Sequence, residues 1–323
     1  MPTGRFHTLD ALRGIAAIAV MLFHAGVNAP VFMPRGYLAA DLFFVLSGFV
    51  LASSYEARLR EGMSLRSFIN ARLQRIYPVF ALGALTGMVL FSGSPLMLLM
   101  VPTEYGDGLL FRANAPLWSL LFELIVNIGW ALVAVRLSLR MLAFMLTGLA
   151  AMLVPAVLSH GGADLGAFWP TALPGLVRTA FSFTMGVILQ RLFLRTGRTR
   201  FTTPLGWLLL PALVVPLMLA SEHRAISDLL MIGVAIPLIV WLGARWNLNA
   251  PQLADRLGGL SFPLYCLHAP FVAMATASPS LMTATCSAMI VLALLLDRFF
   301  DRPVQSWLKA RAQTACPAPL ALI

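Results

Sequence analysis

An all-α, polytopic bundle of about ten transmembrane helices is the fold class this sequence predicts, and three observations predict it. Of 323 residues, 59% are apolar and only 11% charged, with a mean hydropathy of +0.85. Water-soluble domains of this size do not have that composition. Ten apolar runs follow one another at roughly 11–29, 38–56, 76–93, 117–135, 140–158, 171–190, 204–221, 225–243, 262–278 and 281–299. The basic residues are the third observation. With the N-terminus in the cytoplasm, only Arg35, Arg112, Arg178 and Arg224 of the 23 Arg and Lys fall outside or within spans, leaving 19 on the inner side. That asymmetry places both termini in the cytoplasm.

The net charge of +10 is scattered through short turns, which is a topology signal and not a nucleic-acid-binding face. Three cysteines, Cys266, Cys286 and Cys316, imply neither a disulfide framework nor a metal site, because no CxxC occurs and two lie in apolar runs. Arg5, Arg13 and the following apolar run also fit a secretory leader ending at Ala29. We read the run as a retained first span. Residues 1–309 form one transmembrane domain in this reading, and 310–323 a short, loose cytoplasmic tail. The longest polar connections are 57–75 and 93–116, with 95–101 either re-entrant or interfacial.

The first run carries Asp10, Arg13 and His24, and ionisable groups in a span are costly enough to mark function. At about 100° per residue, the step from Arg13 to His24 returns to within roughly 20° of one helix face, about 16 Å further along. Asp10 lies on that stripe, as an ion-pair partner for Arg13. Ala17 and Val20 between them leave room for a thin chain. Interfacial anchoring of Arg13 and a histidine satisfied by neighbouring helices would account for the same pattern.

The second run opens Asp41-Leu-Phe-Phe-Val-Leu-Ser-Gly-Phe, with Asp41 at the depth His24 reaches. A carboxylate there either orients the imidazole as a general base or caps the helix. Ser47 and Gly48 suit close helix packing. Before the third run, Arg72 and Arg75 project from one face, as phosphate-binding guanidiniums or as positive-inside anchors. Glu123, two turns into the fourth run, needs a partner. In the ninth, His268 lies between Pro263 and Pro270, where it contacts a donor or a proline-freed carbonyl.

Four segments together resemble the integral-membrane acyltransferase family 3, O-acyltransferases of polysaccharides and related acceptors. They are Leu-Asp-Ala-Leu-Arg-Gly with Arg13-x10-His24, Asp41-Leu-Phe-Phe-Val-Leu-Ser-Gly-Phe, Arg72-x-x-Arg75-Ile-Tyr-Pro, and Ser261-Phe-Pro-Leu-Tyr-Cys-Leu-His268. The Trp118-Ser-Leu…Glu123 segment is similar too. The family often has Gly-Val before the aspartate, where this chain has Ala39-Ala40. Between about 130 and 257 the likeness is hydrophobicity alone.

The resemblance implies acyl-CoA as co-substrate from the cytoplasm, acetyl being the expected acyl group, with no metal. It implies a hydroxyl of a glycan or lipid-linked sugar as acceptor, and a bacterial inner membrane as location. Arg13 and His24 become essential, and Arg72 and Arg75 become donor contacts; beside the resemblance, His268 and Tyr265 of the ninth run are our own expected donor contacts. No esterase-like domain follows the tenth run, so transfer is expected to be completed by the membrane domain or handed to a partner. The expected course runs from phosphates on Arg72 and Arg75, past Arg13 locked by Asp10, to His24 oriented by Asp41 or Glu123. His24 then serves as general base or as transient acyl carrier. The rival is a proton-coupled transporter or flippase with His24, Asp41 and Glu123 as its relay.

Overall fold

The computed structural model describes residues 5–102, 108–133, 136–197 and 200–314. Eight helical segments are long and apolar enough to cross a membrane: His7–Asn28, Gly36–Arg60, Leu65–Phe91, Leu139–Ser159, Trp169–Arg195, Arg224–Arg245, Pro251–Met274 and Pro279–Arg311. Two shorter apolar helices, α4 (Leu117–Val133) and α7 (Leu209–Met218), stand where the remaining two runs were expected; α5 is Leu139–Ser159, and α8 (Arg224–Leu230) leads through a π-turn into α9 (Ile236–Arg245).

Packing direction shows that these two also reverse the chain. The first helix, α1 (His7–Ala25), runs parallel to α10 (Pro251–Met274): Gly14 abuts Leu257 near one end, and His24 meets His268 near the other. Likewise α2 (Ala39–Arg60) runs parallel to α6 (Ala172–Arg195), with Asp41 against Arg178, Gly48 against Phe183, and Glu56 against Arg191. In an alternating thread the α2–α6 relation requires α4 to traverse the bundle, and the α1–α10 relation then requires α7 to do so as well. Ten traversals put the two ends of the bundle on one side.

Close crossings have a simple cause. A Cβ at Gly48 would strike the α6 backbone, and one at Gly186 would strike α2 at Val45. Small residues let the backbones approach where lipid supplies no hydrophobic drive. α1 is set deep in the bundle, with Leu12, Ala16, Ala17 and Met21 wholly buried. Removing it as a leader would remove the centre of the core.

Several boundaries differ from expectation. α3 (Leu65–Phe91) starts eleven residues before its apolar run, behind an N-cap in which Ser64 accepts from the Ser67 amide. The supposed polar loop 57–75 is therefore mostly helix. Hydropathy marks where a chain meets lipid, whereas Arg, Leu, Ala and Gln continue a helix beyond it. α10 likewise begins at Pro251, eleven residues before the ninth apolar run. Residues Pro95–Leu99 form a single 3-10 turn. α11 (Pro279–Leu296) passes through a π-turn, Asp297–Asp301, into α12 (Arg302–Thr314), which continues past residue 309; residues 315–323 lie outside the described chain.

Candidate active site

A cavity of about 170 Å³ lies between α1, α2, α3, α4 and α10. Its polar wall brings together Arg13, Arg72, Arg75 and Glu123, with Ser47, Ser119 and Tyr265. Pockets that enclose whole ligands usually start near ~300 Å³, so this one suits one arm of a substrate. α3 enters it as a regular helix, which puts Arg72 and Arg75 on one face, as their spacing predicted.

Each guanidinium is held differently. Arg72 donates to Glu123 at 3.1 Å, and Ser47 donates to the same carboxylate oxygen at 2.6 Å. With its amide oxygen turned toward Arg72, the buried Asn127 accepts from two guanidinium nitrogens at 3.2 Å. Arg75 donates to both Asp301 oxygens, at 2.9 and 3.1 Å, and lies 5.0 Å from the Phe262 ring centre. Arg13 has Asp10 at 3.8 Å, beyond hydrogen-bond distance, while Asp10 pairs with Arg5 at 2.6 Å. The expected Asp10 lock on Arg13 is thus loose and shared. Arg13 is the cation on this wall best placed to meet an incoming oxygen.

The cavity ends before His24. Ala17 and Val20, expected to leave a passage, are enclosed in the core at 0% and 3% exposure. Tyr265 closes that end, with its hydroxyl 2.7 Å from Ser119 and its ring 5.4 Å from Phe43. On the far side the Tyr265 ring meets His268 edge-on at 6.1 Å. Tyr265 therefore lines the cavity with Arg72 and Arg75, but His268 does not. His268 is fully buried, bonded through Nδ1 to the Leu264 carbonyl at 2.9 Å and through Nε2 to His24 Nδ1 at 3.2 Å. The carbonyl that Pro270 frees, that of Cys266, is taken by Asn114 at 2.8 Å. His24 itself is exposed near the C-terminal end of α1, with Nδ1 2.8 Å from the Val20 carbonyl.

A family model described as an acyltransferase domain, that of acyltransferase family 3, matches residues 6–306. The chain belongs to this family. Protein 2 in the picA locus of Rhizobium radiobacter is 34% identical over 48% of this chain and 96% of its own length. Acyltransferase MdmB of Streptomyces mycarofaciens is 28% identical over 82% of this chain and 78% of its own. A putative membrane-bound transacylase, BcsY of Komagataeibacter xylinus, is 34% identical over 24% of this chain and 18% of its own. No solved structure matches. The protein is a multi-pass membrane acyltransferase.

In this acyltransferase neither carboxylate expected to orient His24 does so. Asp41 is wholly buried against Arg178, which donates to it at 2.5, 3.1 and 3.2 Å, while Ser182 donates at 2.9 Å. Glu123 belongs to Arg72. Consequently no direct hydrogen bond joins His24, Asp41 and Glu123 among the described residues. Sequence reasoning missed Arg178, Ser182, Asn127 and Asp301. Arg178 had a usable signal: it is a cation inside a span and needs an anion, as Asp41 does. Asp301 had none, since it sits among charges at a helix end. Among the described residues no group of three or more His, Cys, Asp or Glu is gathered for a metal.

Proposed function

We propose that this acyltransferase moves an acetyl group from cytoplasmic acyl-CoA to a hydroxyl of a glycan or lipid-linked sugar, in a bacterial inner membrane with both its termini in the cytoplasm. The observation that carries the reading is Arg13: a guanidinium on a cavity wall, short of a carboxylate, among hydroxyl groups. Arg72 and Arg75 stand on the same wall and suit the phosphates of the donor, which offer the bidentate acceptors a guanidinium prefers. The donor would supply an activated thioester; Arg13, about 16 Å from His24 along α1, would hold an oxygen of the donor's phosphate or pantetheine part, and the thioester reaches His24 when the Tyr265 ring turns aside. His24, exposed on the other side of Tyr265, is then the general base for the acceptor hydroxyl. The acceptor class rests on the family resemblance and on the exposure of His24.

The test uses full-length protein in nanodiscs, acetyl-CoA, and the envelope glycan fraction of the source cells, with free CoA thiol and acetylated glycan as readouts. The intact protein releases thiol and acetylates glycan. His24→Ala and His24→Gln lose about 10²–10⁴-fold in transfer while keeping stability and acetyl-CoA binding, because Gln imitates a hydrogen bond of imidazole but accepts no proton. A stable, active His24→Gln protein sinks the assignment of the base. A folded wild-type protein that neither binds nor consumes acetyl-CoA sinks the donor.

A further inference from the structure

We propose that His268 is the positioning residue of His24, fixing its ring so that Nε2 is the nitrogen left free to take a proton. The inference rests on the reading of His24 as the base. Two backbone carbonyls decide the proton positions, because a carbonyl oxygen only accepts. His268 Nδ1 faces the Leu264 carbonyl at 2.9 Å, so it carries the hydrogen, and in the neutral ring Nε2 is then bare. That bare nitrogen lies 3.2 Å from His24 Nδ1, which also faces the Val20 carbonyl at 2.8 Å. His24 Nδ1 therefore brings the hydrogen and shares it between the two acceptors. Its Nε2 keeps the lone pair, on a ring that is exposed.

Val20 alone would leave the ring loosely held, since its carbonyl sits on the same helix, one turn back. His268 adds a fixed point from α10, and α10 is locked alongside α1 by the close approach at Gly14 and Gly258. A carboxylate usually orients such a base and steadies its positive charge. Here Asp41 and Glu123 are engaged elsewhere, and a neutral imidazole lone pair takes that part. As the acceptor oxygen bonds the acyl carbon, its proton passes to His24 Nε2. The carbon–sulfur bond breaks, and that proton goes on to the departing thiolate sulfur. His268 is wholly buried and touches His24, so its effect is exerted through that ring.

The full chain in nanodiscs, with acetyl-CoA and the envelope glycan fraction, again serves as the assay. His268→Leu fills similar space without an acceptor and lowers kcat by about 10–100-fold, with KM for acetyl-CoA unchanged. His268→Gln places an amide oxygen near the lost nitrogen and recovers most of kcat. A packing role predicts the reverse order, Leu tolerated and Gln not. Wild-type kcat in His268→Leu, or His268→Gln no better than His268→Leu, overturns the proposal. Nitrogen-15 spectra of the histidine-labelled wild type test it without any variant: both rings are read as Nδ1–H tautomers, and an Nε2–H on either overturns it. His24→Ala that retains full transfer removes the underlying reading instead, and leaves the tautomer result standing.

Discussion

Two charged regions lie along α2, and they treat their ions in opposite ways. Around Asp41 every donor is spent: Arg178 gives three hydrogen bonds to the carboxylate and others to the Tyr37 and Leu165 carbonyls, at 1% and 0% side-chain exposure. A turn and a half further on, Ser47 enters the wall of a cavity where Arg72 holds Glu123 at 3.1 Å, Arg75 holds Asp301 at 2.9 Å, and Arg13 has no carboxylate within hydrogen-bond distance. The first region leaves a substrate nothing to bind. The second keeps valence open toward a space. In a membrane, where an unpaired ion is expensive, an enclosed and saturated pair holds helices together, and an unsaturated group on a cavity wall marks where a ligand completes the set.

The largest effect separates the two regions by stability. Arg178→Ala strands the Asp41 carboxylate in the core, and breaking a buried pair in this way costs about 3–5 kcal/mol. Folded yield and unfolding temperature in detergent should drop sharply, with turnover per folded molecule little changed. Replacing both partners with apolar residues, Asp41→Leu with Arg178→Met, should recover much of the loss. A stable Arg178→Ala protein with lost turnover would move this cluster into the chemistry and erase the contrast.

The cavity should respond in the donor's KM. A charge-assisted hydrogen bond is worth about 1.5–3 kcal/mol, so Arg72→Gln and Arg75→Gln should each raise KM for acetyl-CoA by roughly 10–150-fold. Unfolding temperature should change less than in Arg178→Ala, because Glu123 keeps Ser47 and the side chain of Arg75 is 38% exposed. Unchanged KM in both variants would return the two arginines to topological anchoring.

Much of this was open to sequence reasoning and some was closed to it, for a physical reason. Apolar runs located the eight long helical segments, whose length bilayer thickness sets, and the two shorter apolar helices between them. Helical periodicity correctly put Arg72 and Arg75 on one face. What periodicity cannot supply is the neighbour across the interface. Asp41 was matched with His24 by depth, yet its partner lies 137 residues along the chain, on α6. His268 was assigned to the donor from its own helix, and its contact is His24, 244 residues earlier. Depth in the membrane is one coordinate; the rotation and choice of adjacent helices are the others, and those depend on crossings such as Gly48 with Gly186. A charge count would have found Arg178, because a cation in a span demands an anion. Nothing comparable marked Asn127, an amide that becomes informative only beside Arg72.

The smallest effect tests the contrast within a single carboxylate. Glu56, near the end of α2, receives two arginines. Arg60, one turn on, pairs with it at 2.6 Å while remaining 49% exposed. Arg191 of α6 reaches it from the buried side at 3.1 Å, with 11% exposure, and also donates to the Leu137 carbonyl at 2.7 Å. Distance alone ranks Arg60 first. Solvent screening and the entropy of an exposed side chain rank it last, since such pairs contribute about 0.2–1 kcal/mol. Removing Arg191 strips a buried carboxylate and a carbonyl of donors together, at about 1–3 kcal/mol for the groups left unsatisfied. Unfolding temperature should therefore move little in Arg60→Ala and clearly in Arg191→Ala, with turnover per folded molecule the same in both. Equal shifts would mean that enclosure does not decide which ion pairs matter in this protein, and the distinction between the Asp41 cluster and the arginine cavity would lose its physical basis.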